Sequence, residues 1–270
     1  MKQTKALNFV VTGAANGIGM AIHQLIESHG HQVFMMDRQS MDSERFIYLD
    51  LMNVDSIEKA AESLPKSING LINCAGIAPQ NDNQLDILNI NWLGTKLLTT
   101  RLNEKLSPNG SVTTIASRAG AGWKSNYREI RSYLKCNTST DLQNLIQSAP
   151  MTPARAYELS KEILIAWTQM MAASQQLVRY NSVSPSSVET RLTPLFRSAF
   201  QSRSVSNRKL VSRITKPDEV AAAAWFLASP TNQSIQGIDL KVDNGVTAIR
   251  DWAEIELLES DNGGKHDVKN

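Results

Sequence analysis

Two side chains in the second half of the chain have types and spacing suited to moving a proton: the phenol and the ammonium of Tyr157-Glu-Leu-Ser-Lys161. They fall within residues 154–177, a stretch without Gly or Pro, so a helix stacks them on one face, four residues apart. A phenol ordinarily titrates near pH ~10, and a cation beside it favours the phenolate, which brings the group toward acid/base work at neutral pH. Spacing alone describes an exposed tyrosine beside a solvated lysine equally well, because Y-x-x-x-K is a loose pattern.

The elements that must position such a pair begin near the N-terminus, at Thr12-Gly-Ala-Ala-Asn-Gly-Ile-Gly19. Residues 7–12 form a short, mostly apolar strand candidate, the glycines follow at once, and 18–28 reads as an amphipathic helix. In that context Gly13, Gly17 and Gly19 let the backbone approach a pyrophosphate, and the helix directs its first N–H groups at the phosphates. The spacing is G-x-x-x-G-x-G rather than G-x-G-x-x-G. A second apolar strand, 32–36, ends at Asp37, where a carboxylate meets the adenosine ribose of a dinucleotide. It would repel a 2′-phosphate, with Arg38 next door as the only local compensation, so NAD is expected rather than NADP.

Over about residues 7–245 the chain resembles the short-chain dehydrogenase/reductase family. Asp50-Leu51 is similar to the family's adenine-side acidic pair, and Asn73-Cys-Ala-Gly76 to its N-N-A-G turn after the fourth strand. Asn91, followed by Trp-Leu-Gly94, stands where the family keeps a helix asparagine, and Ser117 in Ile115-Ala-Ser-Arg-Ala-Gly120 where it keeps the active serine. The segment Asn181-Ser-Val-Ser-Pro-Ser-Ser-Val-Glu-Thr190 resembles N-x-x-x-P-G-x-x-x-T, with Ser186 in place of glycine; Asn244 likewise replaces a glycine in Val242-Asp-Asn-Gly245. Asparagine tolerates a left-handed backbone, whereas Ser186 adds a side chain beside the cofactor.

The resemblance implies roles. Tyr157 is the acid/base, and Lys161 lowers its pKa and binds the nicotinamide ribose. Ser117 holds the substrate oxygen, and Asn91 holds a water that links Lys161 to solvent. Gly13, Asn16, Gly17, Ile18, Gly19, Asp37, Asp50, Leu51, Asn73, Ala75, Gly76, Val188 and Thr190 contact the cofactor together with Tyr157 and Lys161. The implied activity is hydride transfer between NAD and a secondary alcohol or ketone.

The largest departure is the gap of 40 residues between Ser117 and Tyr157, which most family members close with a much shorter loop. The extra segment, about 123–150, carries Tyr127, Ile130, Tyr133, Leu134, Leu142, Leu145 and Ile146 at spacings that suggest two short amphipathic helices. With both ends tied to catalytic elements it is expected to wall the substrate pocket and to cover the helices through which many family members form tetramers; a passive surface excursion is the other reading. An insertion here, with Ala75-Gly-Ile-Ala-Pro-Gln80 and Pro185-Ser-Ser-Val-Glu-Thr-Arg-Leu-Thr-Pro194, is similar to bacterial 3α-hydroxysteroid dehydrogenase/carbonyl reductase-type members. That likeness implies a bulky apolar or alicyclic substrate under a flap at about 191–213. In the flap Leu192, Leu195, Phe196 and Phe200 share a helical face, while Arg191, Arg197, Arg203, Arg208 and Lys209 make the rest basic. A cyclic diol, polyol or sugar substrate keeps the same chemistry, and an NAD-binding sensor or scaffold with incidental turnover keeps only the fold.

Composition agrees with one α/β domain at about 1–250 and a tail at 251–270: 270 residues with 41 % hydrophobic content can bury one large core. Alternating strands and helices predict a Rossmann-type doubly wound parallel sheet with an inserted helical segment, its strands near Phe9, Met35, Phe46, Leu71, Val112, Val183 and Leu240. A helix is expected over 248–259, before a loosely held end. A net charge of +2 argues against nucleic acid or a membrane surface, and no apolar run resembles a membrane span or secretory signal, so a cytoplasmic location is expected; the family resemblance implies a homo-oligomer, dimer or tetramer. Cys74 and Cys136 sit in no disulfide framework or metal-ligand spacing, and His23, His29, His31 and His266 are given surface or helix-end roles, so no metal is expected.

Overall fold

The computed structural model describes residues 6–200, 210, 211 and 213–263. Of the expectations above, Arg203, Arg208 and Lys209 of the flap, His266 and the end of the tail lie outside the described residues.

Seven strands form one sheet: β1 (Asn8–Thr12), β2 (Gln32–Asp37), β3 (Phe46–Tyr48), β4 (Ile68–Asn73), β5 (Leu106–Ile115), β6 (Arg179–Pro185) and β7 (Asp239–Val242). All pairs are parallel and the order is β3-β2-β1-β4-β5-β6-β7. The order reverses between β1 and β4, the switch point at which such sheets open a crevice at their C-terminal ends. Both faces are covered, so the strands are apolar on both sides. Phe9 and Val11 face a cluster with Ile22 and Ile26 of α1 (Gly17–Ser28), whereas Val10 faces the opposite one with Leu71 and Leu98. Helix α2 (Val54–Glu62) starts at Asn53, whose side chain accepts from the Ser56 N–H. His23 departs from the surface role expected of it: it is buried on the core side of α1, with Nδ1 3.4 Å from Glu27.

After β4 the chain runs through α3 (Gln84–Ile87), a π-helical segment (Leu88–Gly94) and α4 (Thr95–Leu102). The insertion folds into α5 (Tyr127–Leu134) and α6 (Ser139–Ser148), the two amphipathic helices expected from its pattern. Thr138 and Asp141 close a capping box at the start of α6. Ile130, Tyr133 and Leu142 are buried against Leu159, Ile163 and Trp167 of α7 (Pro153–Ser174), and Trp92 Nε1 donates to the Tyr133 carbonyl at 3.1 Å. With the sheet on one side and α5 and α6 on the other, α7 is buried almost all round from Ala156 to Thr168. Thr152 caps it and Pro153 occupies its first turn.

Further helices among the described residues are α8 (Thr193–Ala199), α9 (Pro217–Ala228) and α10 (Val246–Gly263). Helix α10 is longer than the expected 248–259. It starts beside Asn244, which does adopt a left-handed backbone (φ 55°) and donates to Thr215 Oγ1 at 3.0 Å.

Candidate active site

The nucleotide side of the site is built by close approach of backbone. Thr12 ends β1, and its hydroxyl accepts from the N–H groups of Cys74 and Ala75, both at 3.0 Å, which ties the turn after β4 to the turn after β1. Gly13 has φ +69°, and a Cβ on it would lie 2.8 Å from Ala75 Cα; a Cβ on Gly19 would lie 2.1 Å from the Gly13 carbonyl oxygen. Asn16 precedes α1 without capping it: its amide donates to Gln39 Oε1 at 2.8 Å, so the first N–H groups of the helix carry no side-chain cap. The Asp37 carboxylate accepts from the Ala15 N–H at 3.0 Å and the Gln39 N–H at 2.9 Å. A glycine cradle, an uncapped helix start and an anchored carboxylate fit the pyrophosphate and ribose of a dinucleotide.

The reacting side is carried by β5 and α7. Ser117 follows β5 and begins a short 3-10 helix (Arg118–Lys124), accepting from the Ala119 N–H at 3.1 Å. Burial pushes the Tyr157 phenol up to about 12, against which the Ser117 hydroxyl acts by favouring the phenolate. Burial brings Lys161 down to about 8, with the neighbouring Cys74 thiol acting the other way. The Lys161 ammonium donates to the Ile115 carbonyl at 3.0 Å and stands 5.7 Å from the Tyr157 ring centroid. The expected lowering of the tyrosine pKa by Lys161 therefore does not prevail. Tyr157 is packed with Ile87, Ala156, Ile77, Phe196 and Phe200, and desolvation dominates.

Asn91 sits in the π-helical segment, a distortion that often marks functional positions. Its Oδ1 accepts from the Ile77 N–H at 2.8 Å, and its Nδ2 donates to the Ile77 carbonyl at 3.1 Å and to Ser160 Oγ at 3.3 Å. Ser160 in turn donates to the Tyr157 carbonyl at 2.7 Å. Asn91 thus fastens the turn after β4 to the catalytic helix.

A cavity of about 780 Å³ joins these parts, within the range of small-molecule and cofactor sites. Gly13, Asn16, Gly17, Ile18, Gly19, Asp37, Ala75 and Gly76 line it together with Ser117, Tyr157, Lys161, Ser186, Val188 and Thr190, and the two sets meet where Thr190 stands by Gly17 and Lys161 by Gly76. Asp50, Leu51, Asn73 and Asn91 do not line it. Asp50 accepts from the Met52 N–H at 3.0 Å, Leu51 packs under Gly94, and Asn73 donates to Thr99 Oγ1 at 2.9 Å. They brace the walls from behind.

The sequence reading missed an ionic cluster in the wall of the cavity. Glu162, only 3 % exposed, accepts from Asn126 Nδ2 at 2.7 Å and from Arg155 at 2.8 Å; Arg155 also pairs with Glu129 of the insertion at 2.7 Å and with Glu158 at 3.7 Å. Burial opposes the Arg155 charge, but the hydrogen bonds to Glu162 and Glu129 outweigh it and raise its hold on the proton. The Arg155, Glu158 and Glu162 spacing on one face of α7 was the available signal. The insertion meets the cavity at Asn126, and the 3-10 helix before it supplies more of the wall; α5 and α6 themselves cover α7 from outside. Helix α10 also reaches the cavity, through Arg250. Among the described residues no cluster of His, Cys, Asp and Glu could hold a metal, and no helix is long and apolar enough to cross a membrane.

Known proteins place this arrangement. Residues 8–128 match the family model described as short chain dehydrogenase, and residues 142–247 match that described as enoyl-(acyl carrier protein) reductase, so that 129–141, within α5 and α6, fall outside both. The chain is 32 % identical to a coniferyl-alcohol dehydrogenase from Pseudomonas sp. (strain HR199 / DSM 7063), over 88 % of this chain and 96 % of that one. It is 27 % identical to the 3-alpha-hydroxysteroid dehydrogenase/carbonyl reductase of Comamonas testosteroni, over 89 % and 96 %. The crystal structure of the 3-alpha-hydroxysteroid dehydrogenase from Pseudomonas sp. B-0831 complexed with NADH superposes with a TM-score of 0.76 at 25 % identity, covering 90 % of this chain and 98 % of that one. The two family models together span most of the chain, the 32 % identical relative is matched over nearly its whole length, and the chain belongs to the short-chain dehydrogenase/reductase family.

Proposed function

We propose that this oxidoreductase interconverts an alcohol and its carbonyl compound on a bulky ring-bearing skeleton, using NAD and with Tyr157 as the acid/base. The observation that carries the reading is the convergence of Ser117, Tyr157 and Lys161 on the cavity that also holds the glycine turn and Asp37. A nicotinamide held by the glycine turn, Asp37 and Lys161 would supply the two-electron chemistry, as hydride acceptor in oxidation and donor in reduction. Ser117 holds the substrate oxygen beside the phenol, as a neutral donor and acceptor. Tyr157 takes the hydroxyl proton in oxidation and returns it to the carbonyl oxygen in reduction. Lys161, at the same wall, binds the ribose and stabilises the phenolate when it forms. Asn91 keeps Ile77 and α7 in register, so its part is to position the site.

The NAD preference rests on Asp37: two backbone N–H groups hold its carboxylate at the end of β2, where a 2′-phosphate would meet it. A homo-oligomer, dimer or tetramer, goes with the reading. The test is turnover of hydroxysteroids, cyclic diols, polyols and aryl alcohols with NAD and NADP. Oxidation of a ring-bearing alcohol with NAD supports it. Turnover confined to polyols moves the substrate class, and NADH binding without any turnover points to a sensor.

A further inference from the structure

The apolar wall over the reacting end of the cavity comes from one short helix. Helix α8 and its C-terminal cap bring Phe196 and Phe200, one turn apart, onto the Tyr157 ring: the Phe196 centroid lies 4.9 Å away at an interplanar angle of 62°, and the Phe200 centroid 6.0 Å away at 59°. Both phenyl rings line the cavity and are only partly buried, while the tyrosine they cover is 8 % exposed. Ile77, Ala119 and Met151 complete the apolar surround. Any alcohol that delivers its hydroxyl to the Tyr157 phenol must share this space, so its ring meets the phenol and the two phenyl rings.

Edge-to-face and offset contacts between aromatic rings are favourable beyond the area they bury, because the electron-rich face of one meets the electropositive edge of the other. A saturated ring is thicker and has no such face.

We propose that Phe196 and Phe200 determine specificity, and that they select a substrate bearing a planar aryl ring, an aryl alcohol or the corresponding aryl carbonyl compound, over its ring-saturated counterpart. The selection rests on the reading of Tyr157 as the acid/base.

The test compares aryl alcohols with their cyclohexyl analogues of the same carbon skeleton, as kcat/KM with NAD, in wild type, Phe196→Leu and Phe200→Leu. Leucine keeps an apolar side chain and removes only the ring, and α8 lies at the surface, so thermal melting is expected to change little. Wild type favours the aryl member by about tenfold or more, and each substitution lowers that ratio by roughly three- to tenfold. A wild-type enzyme that prefers the cyclohexyl member, or a ratio unchanged in both variants, overturns the selection and leaves the dehydrogenase reading standing. Absence of turnover on every alcohol and carbonyl compound overturns both.

Discussion

The two ends of the cavity are held by different means. At the nucleotide end backbone meets backbone: Gly19 lies against the Gly13 carbonyl, Gly13 against Ala75, and the Thr12 hydroxyl closes on two N–H groups. At the proposed substrate end side chain meets side chain: Glu162 with Arg155 and Asn126, and Phe196 and Phe200 with Tyr157. The first arrangement has no room for an added atom, because backbone cannot step aside. The second can repack. Binding of the shared cofactor is therefore built into the fold, and choice of substrate is left to residues that can change without disturbing it.

Gly19→Ala tests that contrast with the largest effect. The new methyl would sit 2.1 Å from a backbone oxygen, and NADH affinity is expected to fall by at least about a hundredfold. At the other end Gly122→Ala places its methyl 3.0 Å from Glu162 Oε1 and 3.3 Å from Asn126 Nδ2, both side-chain atoms, and a change of less than about threefold is expected. Equal losses in a fluorescence titration with NADH would erase the distinction.

Next in size is Glu162→Ala. It removes the acceptor of Asn126 and the most buried partner of Arg155, while Glu129 and Glu158 remain, so urea unfolding should show a loss of about 1–3 kcal/mol. Glu162→Gln keeps an acceptor and should cost less; no loss in either variant would mean that the cluster does not hold the substrate end.

Much of the nucleotide end was legible in the sequence because only certain residues can do its work. A turn closed by backbone contact demands glycine, and glycine is visible. The apolar runs and the amphipathic pattern of 127–146 also sufficed for the strands and for the two helices of the insertion. Of the ionic cluster only the α7 spacing of Arg155, Glu158 and Glu162 was legible, since Glu129 and Asn126 lie 26 and 36 residues in sequence from their partners Arg155 and Glu162. Nor was the π-helical segment at Asn91, whose side chain is drawn to the Ile77 backbone by a tertiary contact that no local pattern records. The direction of the Tyr157 shift was misread for the same reason: it depends on rings from α8, far along the chain.

Asp37→Ala should lower the preference for NAD over NADP by roughly tenfold, measured as the ratio of the two kcat/KM values. An unchanged ratio would show that Asp37 does not face the ribose.

The smallest effect is a slope. Lys161 falls from an ordinary 10.5 to about 8 on folding. Between those values the unfolded chain keeps a proton that the folded protein has released, so stability rises with pH from about 8, by no more than ~1.4 kcal/mol per unit. Tyr157, raised from 10.0 to about 12, works in reverse above pH 10, where stability falls. Above pH 9 the Cys74 thiol, raised by burial from 9.0 to about 12, also works in reverse, so Lys161→Met should flatten the profile between pH 8 and 9; a wild-type profile already flat there would contradict the burial of the ammonium.

The most direct test of the central claim is one pair of numbers for Tyr157→Phe: turnover of a ring-bearing alcohol with NAD, and the dissociation constant for NADH. The substitution removes only the hydroxyl and leaves the nucleotide end intact. Turnover is expected to fall by about 10²–10⁴ while NADH binding stays within a few-fold of wild type. A variant that keeps its turnover would contradict the assignment of Tyr157 as the acid/base.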